Sequence, residues 1–231
     1  MKIIFLHNYY QTPGGEDESF RSESMLLRSH GHHVVSSCAH NASIQTKNLL
    51  NVALNTVWNH RTYWSLRRLC KIERPHIIHC QNIFPLLSPS VYYAAKAEGI
   101  PVVQTLRNYR LLCPGATLFR QGDICNKCLS HKLLLPALRH RCYRQSFPGS
   151  AVVSGMILFH RLLQTWKRKI TIYIALTDFS RNLFIQEGLP EDRIYVKPNF
   201  LSEDPGIVRK KMRYALFVGR LSPEKGLQTL M

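Results

Sequence analysis

Short apolar runs alternate along the chain with longer stretches patterned at helical spacing. Lys2–Leu6 reads as a buried strand, His7–Gly15 as a loop ending in Pro13-Gly14-Gly15, and Glu16–His30 as a helix that Gly31 stops. His33–Ser37 predicts the next strand. Ser43–Glu73 is a long helical stretch with a break near Asn59, after which Pro75 forces an extended segment, His76–Cys80. Ser88 caps a further helix with Pro89 at its first position, and Gly99 ends it before the strand Pro101–Thr105. The same grammar resumes with the strand Ile172–Leu176, a helix capped by Thr177 or Asp178 and ended by Gly188, and the strand Arg193–Lys197. Alternation of this kind specifies an α/β fold with a doubly wound parallel sheet covered on both faces and ligands at the carboxyl ends of the strands. Active loops are therefore expected after Leu6, Cys80, Thr105 and Leu176.

Asn199–Arg213 holds Pro205, Gly206 and mixed charges, the composition of an interdomain linker. Beyond it Tyr214–Val218 predicts one more strand, followed by the loop Gly219–Gly226 and a helix barely begun at Met231. The expected organisation is a first domain over 1–204 with a cysteine-containing basic insertion at about 107–145. Residues 205–231 then form a linker and the truncated start of a second domain.

Composition narrows the class. The 231 residues are 45% hydrophobic and 10% aromatic, which is globular rather than disordered. Apolar-rich runs such as Ala151–Phe159 fall short of the roughly 18 residues a membrane-spanning helix needs, so none is expected. Ile3–Leu6 is too short for the core of a secretory signal, which predicts a cytoplasmic protein. The net charge of +17 is concentrated: Arg107–Lys169 carries twelve Lys and Arg against one acid, Asp123. Such a surface suits phosphorylated substrates, nucleic acid or an anionic leaflet. Glu16, Asp17, Glu18 and Glu23 lie near the start of the first helix, where the dipole favours negative charge.

Seven cysteines without an export signal point to thiols or a metal rather than a disulfide framework. Cys125-x-x-Cys128, with Cys113 upstream and Cys142 downstream, offers four thiolates for a structural zinc ion, with His131 and His140 in reserve. The alternative is four unrelated reduced cysteines. Cys38, Cys70 and Cys80 read as small buried hydrophobes. Phe147–Lys169 has an apolar face and ends in Lys167-Arg168-Lys169; core packing is favoured for it, with peripheral contact at the inner face of an anionic membrane as the alternative.

The Pro13-Gly14-Gly15 loop, the run Asn82-Ile83-Phe84-Pro85-Leu86-Leu87-Ser88-Pro89 through Thr105, and Phe217-Val218-Gly219-Arg220-Leu221 with Glu224-Lys225-Gly226 together resemble retaining, nucleotide-sugar-dependent glycosyltransferases of the GT-B fold, family 4. The resemblance implies two Rossmann-like domains, the first mostly for acceptor and the second for donor. A nucleotide-diphosphate sugar would be the donor and a glycan or lipid-linked sugar the acceptor, with no catalytic metal and no specific nucleic acid. Arg220 and Lys225 would hold the donor diphosphate, and Gly14 and Gly15 would let backbone N–H groups approach phosphate. Two positions depart from the pattern. Arg107 stands where the family typically has the histidine of Thr-x-His, and His79-Cys80-Gln81-Asn82 replaces His-x-His-Asn, so that Arg107 and His79 are the candidates for the catalytic places. An arginine is a permanent cation and cannot offer a neutral imidazole. A fragment inactive alone is therefore expected, with a non-catalytic pseudoenzyme or partner subunit as the alternative. A basic zinc-containing nucleic-acid-binding protein is a further alternative.

Overall fold

A computed structural model describes residues 1–12, 14–44, 48–129, 133–201, 206, 213–219, 221–222 and 225–230. Its strands are β1 (Lys2–Tyr9), β2 (His33–His40), β3 (Ile77–Asn82), β4 (Val102–Leu106), β5 (Phe119–Arg120), β6 (Asp123–Ile124), β7 (Ile172–Ala175) and β8 (Ile194–Val196). Six of them form one sheet in the order β2-β1-β3-β4-β7-β8, with every neighbouring pair parallel. β5 and β6 make a separate two-stranded antiparallel ribbon. The expected doubly wound Rossmann-like sheet is present. Its order reverses between β1 and β3, and ligands in open α/β sheets bind in the crevice at such a switch point.

The helices are α1 (Gly15–Ser29), α2 (Leu49–Val57), α3 (His60–Glu73), α4 (Ser90–Ala97), α5 (Leu135–Arg139), α6 (Phe147–Leu162), α7 (Thr165–Arg168), α8 (Asp178–Gln186) and α9 (Leu227–Leu230). Their ends follow local chemistry. Asn59 separates α2 from α3 by capping the latter, its side chain accepting from the Thr62 N–H at 3.0 Å. Thr177 caps α8 in the same way through the Ser180 N–H at 3.1 Å. Ser88 is not the cap of α4; it sits at φ 62°, Pro89 takes the cap position, and the Ser88 hydroxyl accepts from the N–H groups of Asn59 and Ser90. Gly99, at φ 70°, makes the left-handed turn that lets the chain leave α4 for β4.

Because side chains alternate across a strand, β1 feeds two cores. Ile4 and Leu6 face the larger one with Ile78, Cys80, Tyr92, Tyr173 and Phe184, while Ile3 and Phe5 face a smaller one with Phe20 and Val34. The strand also runs three residues further than its apolar segment suggests. His7, Asn8 and Tyr9 continue the pairing with β2, so the polar residues after Leu6 are carried in the sheet rather than in a loop.

Leu112, Cys128, Leu134 and Ala137 tie the 107–145 insertion into the main core. Tyr214–Val218 is not a strand: Tyr214, Leu216 and Val218 are exposed and, among the described residues, join no sheet. An apolar segment becomes a buried strand only where neighbours cover it. Cys70 and Cys80 are buried as expected, but Cys38 is exposed. No helix among the described residues is long and apolar enough to cross a membrane.

Ile78, the second residue of β3, is fully buried. Ile78→Ala is expected to cost about 2–5 kcal/mol, read from urea unfolding. A loss under about 1 kcal/mol would mean that this strand does not organise the core.

Candidate functional site

The carboxyl ends of β3, β4 and β8 converge on a buried carboxylate. Glu23 projects from the middle of α1, beyond reach of the dipole at the helix start, so the dipole reading holds for Glu16, Asp17 and Glu18 but not for it. Its oxygens take a salt bridge from Arg107 Nη2 at 3.3 Å, a hydrogen bond from Gln81 Nε2 and an ion pair from Lys197 Nζ. Arg107 also donates to Gln81 Oε1 from Nε at 2.9 Å and from Nη2 at 2.7 Å, and its Nη1 donates to Asn199 Oδ1. Its side chain is only 3% exposed. Burial lowers the Arg107 pKa, opposed chiefly by the field of Glu23.

His79 and Arg107 are thus brought into one network, through Gln81. His79 Nε2 lies 2.8 Å from Thr105 Oγ1 and 3.3 Å from Gln81 Nε2, and its ring packs edge-on against Phe5. Burial pushes its pKa down to about 4, so the ring is neutral near pH 7. It has the surroundings of a satisfied core histidine.

Gly14 caps α1, and among the described residues no atom beyond the chain neighbours and the helix's own backbone lies within 4 Å of where a Cβ would stand on Gly14 or Gly15. The face is open, as close approach of a ligand requires, yet part of the helix start is already used. Asp17 Oδ2 accepts from the Gly14 N–H at 3.0 Å, and Asp17 Oδ1 meets His7 Nε2 at 2.7 Å. His7 is buried and stacked on Phe20, and burial lowers its pKa against the pull of Asp17. Among the described residues the N–H groups of Gly15 and Glu16 have no partner. Lys225 is exposed, and among the described residues no hydrogen bond or ion pair joins its side chain to this region; Arg220 lies outside them.

The four cysteines do converge. Cys113, Cys125, Cys128 and Cys142 line one cavity of about 310 Å³, together with His140 and Lys127. Burial and the neighbouring thiols push the Cys128 thiol up to about 11. Among the described residues, however, no three His, Cys, Asp or Glu side chains are placed to hold one metal ion, and His131 lies outside them. The spacing thus brings the four candidate thiols to the wall of one cavity.

The glycosyl transferase 4-like domain family matches residues 14–199, which span α1 through the Asn199 contact to Arg107. The chain belongs to that family. Solved structures similar to this family 4 domain include HepE from Anabaena in complex with UDP, at 16% identity over 87% of this chain and 44% of that one, with a TM-score of 0.44. The lipopolysaccharide outer core galactosyltransferase WaaB, in its apo form, is 12% identical over 92% of this chain and 50% of its own, at 0.45. MnaA of S. aureus with UDP is 11% identical over 86% and 44%, at 0.46. The chain spans half or less of the length of each. No curated protein matches.

Sequence reading missed Glu23, Lys197 and Asn199. Glu23 was findable: it lies three residues after Phe20, on the stripe that α1 buries, where a carboxylate needs a partner. Lys197 and Asn199 carry no such signal, because β8 places them only through the sheet order.

Two measurements test the network. Arg107→Met should destabilise the fold by about 1–3 kcal/mol, because it removes one of the two cations on the buried carboxylate and leaves Gln81 Oε1 without its donors, and Arg107→Met with Glu23→Leu should cost less than the two single changes summed. Additive losses in urea unfolding would show that the pair is not coupled. His79 titrates at about 4 folded against 6.5 unfolded, so the unfolded chain takes up the proton first as pH falls. Its contribution is complete above about pH 6.5 and is lost down to about pH 4, by at most about 3 kcal/mol. His7 and His160 shift in the same direction. His79→Gln should flatten the fall in unfolding free energy over that window, and an unchanged slope would count against the assignment.

Proposed function

We propose that this chain is the acceptor-side domain of a retaining, nucleotide-sugar-dependent glycosyltransferase that moves a hexosyl group onto a glycan or lipid-linked acceptor. The observation that carries the reading is the family match over 14–199 falling on a parallel sheet whose switch point opens between Gly14 and the Arg107 network. Residues 1–204 form this domain, and 205–231 belong to a linker and a donor-side unit. The exposure of Tyr214, Leu216 and Val218 supports setting that segment apart. Cationic side chains, rather than a divalent metal, take the charge of the leaving diphosphate.

The chain alone turns over poorly. Arg107 fills the place of the family's histidine, and its guanidinium is committed to Glu23, Gln81 and Asn199. Docking at the inner face of a membrane is supported by the end of α6. Phe159, Leu162 and Leu163 are exposed there beside the exposed cations Lys167 and Arg168, the combination that seats a helix at an anionic interface.

Saturation-transfer NMR with UDP-, GDP- and ADP-linked sugars tests the reading on the full chain. Contact to the sugar ring is expected at millimolar affinity, about −4 kcal/mol, and unchanged by EDTA. Absence of contact from every sugar nucleotide, together with duplex DNA binding of steep salt dependence, would replace it with nucleic-acid binding.

A further inference from the structure

Beside the ends of β3 and β4 lies a second, smaller cavity of about 60 Å³, whose wall includes Tyr10, Phe84, Arg110, Leu111, Met156 and Trp166. Arg110 is anchored by its own backbone N–H, which donates to Asn108 Oδ1 at 3.0 Å. Its guanidinium carbon stands 4.4 Å from the centre of the Phe84 ring and 5.3 Å from that of Tyr143. One N–H group reaches the Pro114 carbonyl. Among the described residues no carboxylate comes within ion-pair distance of it, whereas Arg67, Arg107 and Arg181 each have one. Glu16 is the acid whose field reaches Arg110, and its two oxygens are taken by the Tyr10 hydroxyl at 2.9 Å and the Asn108 amide at 3.1 Å. Burial lowers the Arg110 pKa, and aromatic faces offset the loss of water only in part.

An independent observation comes from another residue of the same lining. Trp166 is 6% exposed, and its indole N–H is buried without a partner. Orphaned buried donors are rare enough to require an explanation. The amide side chains of the cavity are engaged elsewhere: Gln81 with Glu23 and Arg107, and Asn108 with Glu16 and the Arg110 N–H. Asn82 is used by the Asn8 carbonyl and the Phe84 N–H, and Gln104 by the Tyr92 hydroxyl and the Thr105 carbonyl. Donors are left over, one of them permanently charged, so the complementary ligand accepts hydrogen bonds and is anionic. At about 10–15 Å³ per water the space holds roughly four to six water-sized positions, enough for one oxyanion and too little for a sugar ring. A tetrahedral oxyanion presents oxygens to several donors at once, and a planar carboxylate does so less well.

We propose that this cavity binds a phosphoryl group, with Arg110 as its cation and the Trp166 N–H as a second donor. Read together with the proposed function, the phosphoryl group belongs to the acceptor; binding of the oxyanion itself stands on the cavity alone. The test is ³¹P NMR titration of the full chain with inorganic phosphate and with monomeric dodecyl phosphate, alongside acetate. Both phosphates should bind, Arg110→Gln should weaken them at least about tenfold and Trp166→Phe about threefold, and the exposed Lys71→Gln should leave them unchanged. Tighter binding of dodecyl phosphate supports a lipid-linked source and equal binding a water-soluble phosphate. Circular dichroism confirms folding, and Trp166→Phe, which keeps the ring, holds the test open if Arg110→Gln unfolds. The proposal is overturned if wild type binds neither phosphate, if folded Arg110→Gln or Trp166→Phe binds as wild type does, or if acetate binds as tightly. Sugar-nucleotide contact in samples that bind no phosphate would overturn this site and leave the proposed function standing.

Discussion

The buried carboxylate of Glu23 is the constraint around which the open end of the sheet is arranged. A carboxylate removed from water must be paired and hydrogen-bonded, and this one draws its partners from three separate parts of the chain. Gln81 comes from β3, Arg107 from the turn after β4 and Lys197 from the end of β8. Because α1 carries Glu23, the helix is tied to strands that it does not follow in sequence. Gly14 and Gly15, at the start of α1, are thereby held at the switch point.

That arrangement also divides the electrostatics of the site. At the start of α1 three carboxylates meet the helix dipole, and Asp17 spends itself on the Gly14 N–H and His7. Across the crevice, Arg107 and Lys197 share one carboxylate, leaving an excess of one positive charge in the cluster. An anionic ligand entering between them would be drawn to the β4 and β8 side and resisted at the glycine side. The glycines would then serve by being small, giving room, more than by donating to phosphate.

Most of the fold was legible because each strand pairs an apolar run with a helix cap or a glycine stop, as at Thr177 and Gly99. What escaped depends on distance in sequence. The apolar pattern ends β1 at Leu6, but strand pairing with β2 continues through the polar His7–Tyr9. Tyr214–Val218 has the pattern of a strand and, among the described residues, joins no sheet. For the site, Arg107 and His79 were legible as positions but not as partners, since Gln81 and Glu23 join them only in three dimensions. The cysteine spacing located a shared cavity, and spacing alone cannot say whether sulfurs meet at bonding distance.

The two departures from the family pattern are one physical unit. Gln81 and Arg107, each standing where the resemblance places a histidine, are in direct contact: one amide oxygen accepts two of the guanidinium N–H groups. A neutral imidazole at 107 would leave Glu23 with less positive charge and Gln81 Oε1 without its donors. An imidazole at 81 would in turn remove the fixed acceptor that, with Glu23, holds the Arg107 side chain in place. Each replacement is therefore stable in the company of the other, and the carboxylate between them makes the exchange of two histidines for a glutamine and an arginine cooperative. The consequence for chemistry is a fixed cation where a titratable ring would otherwise stand, which suits the binding of negative charge and not the transfer of a proton.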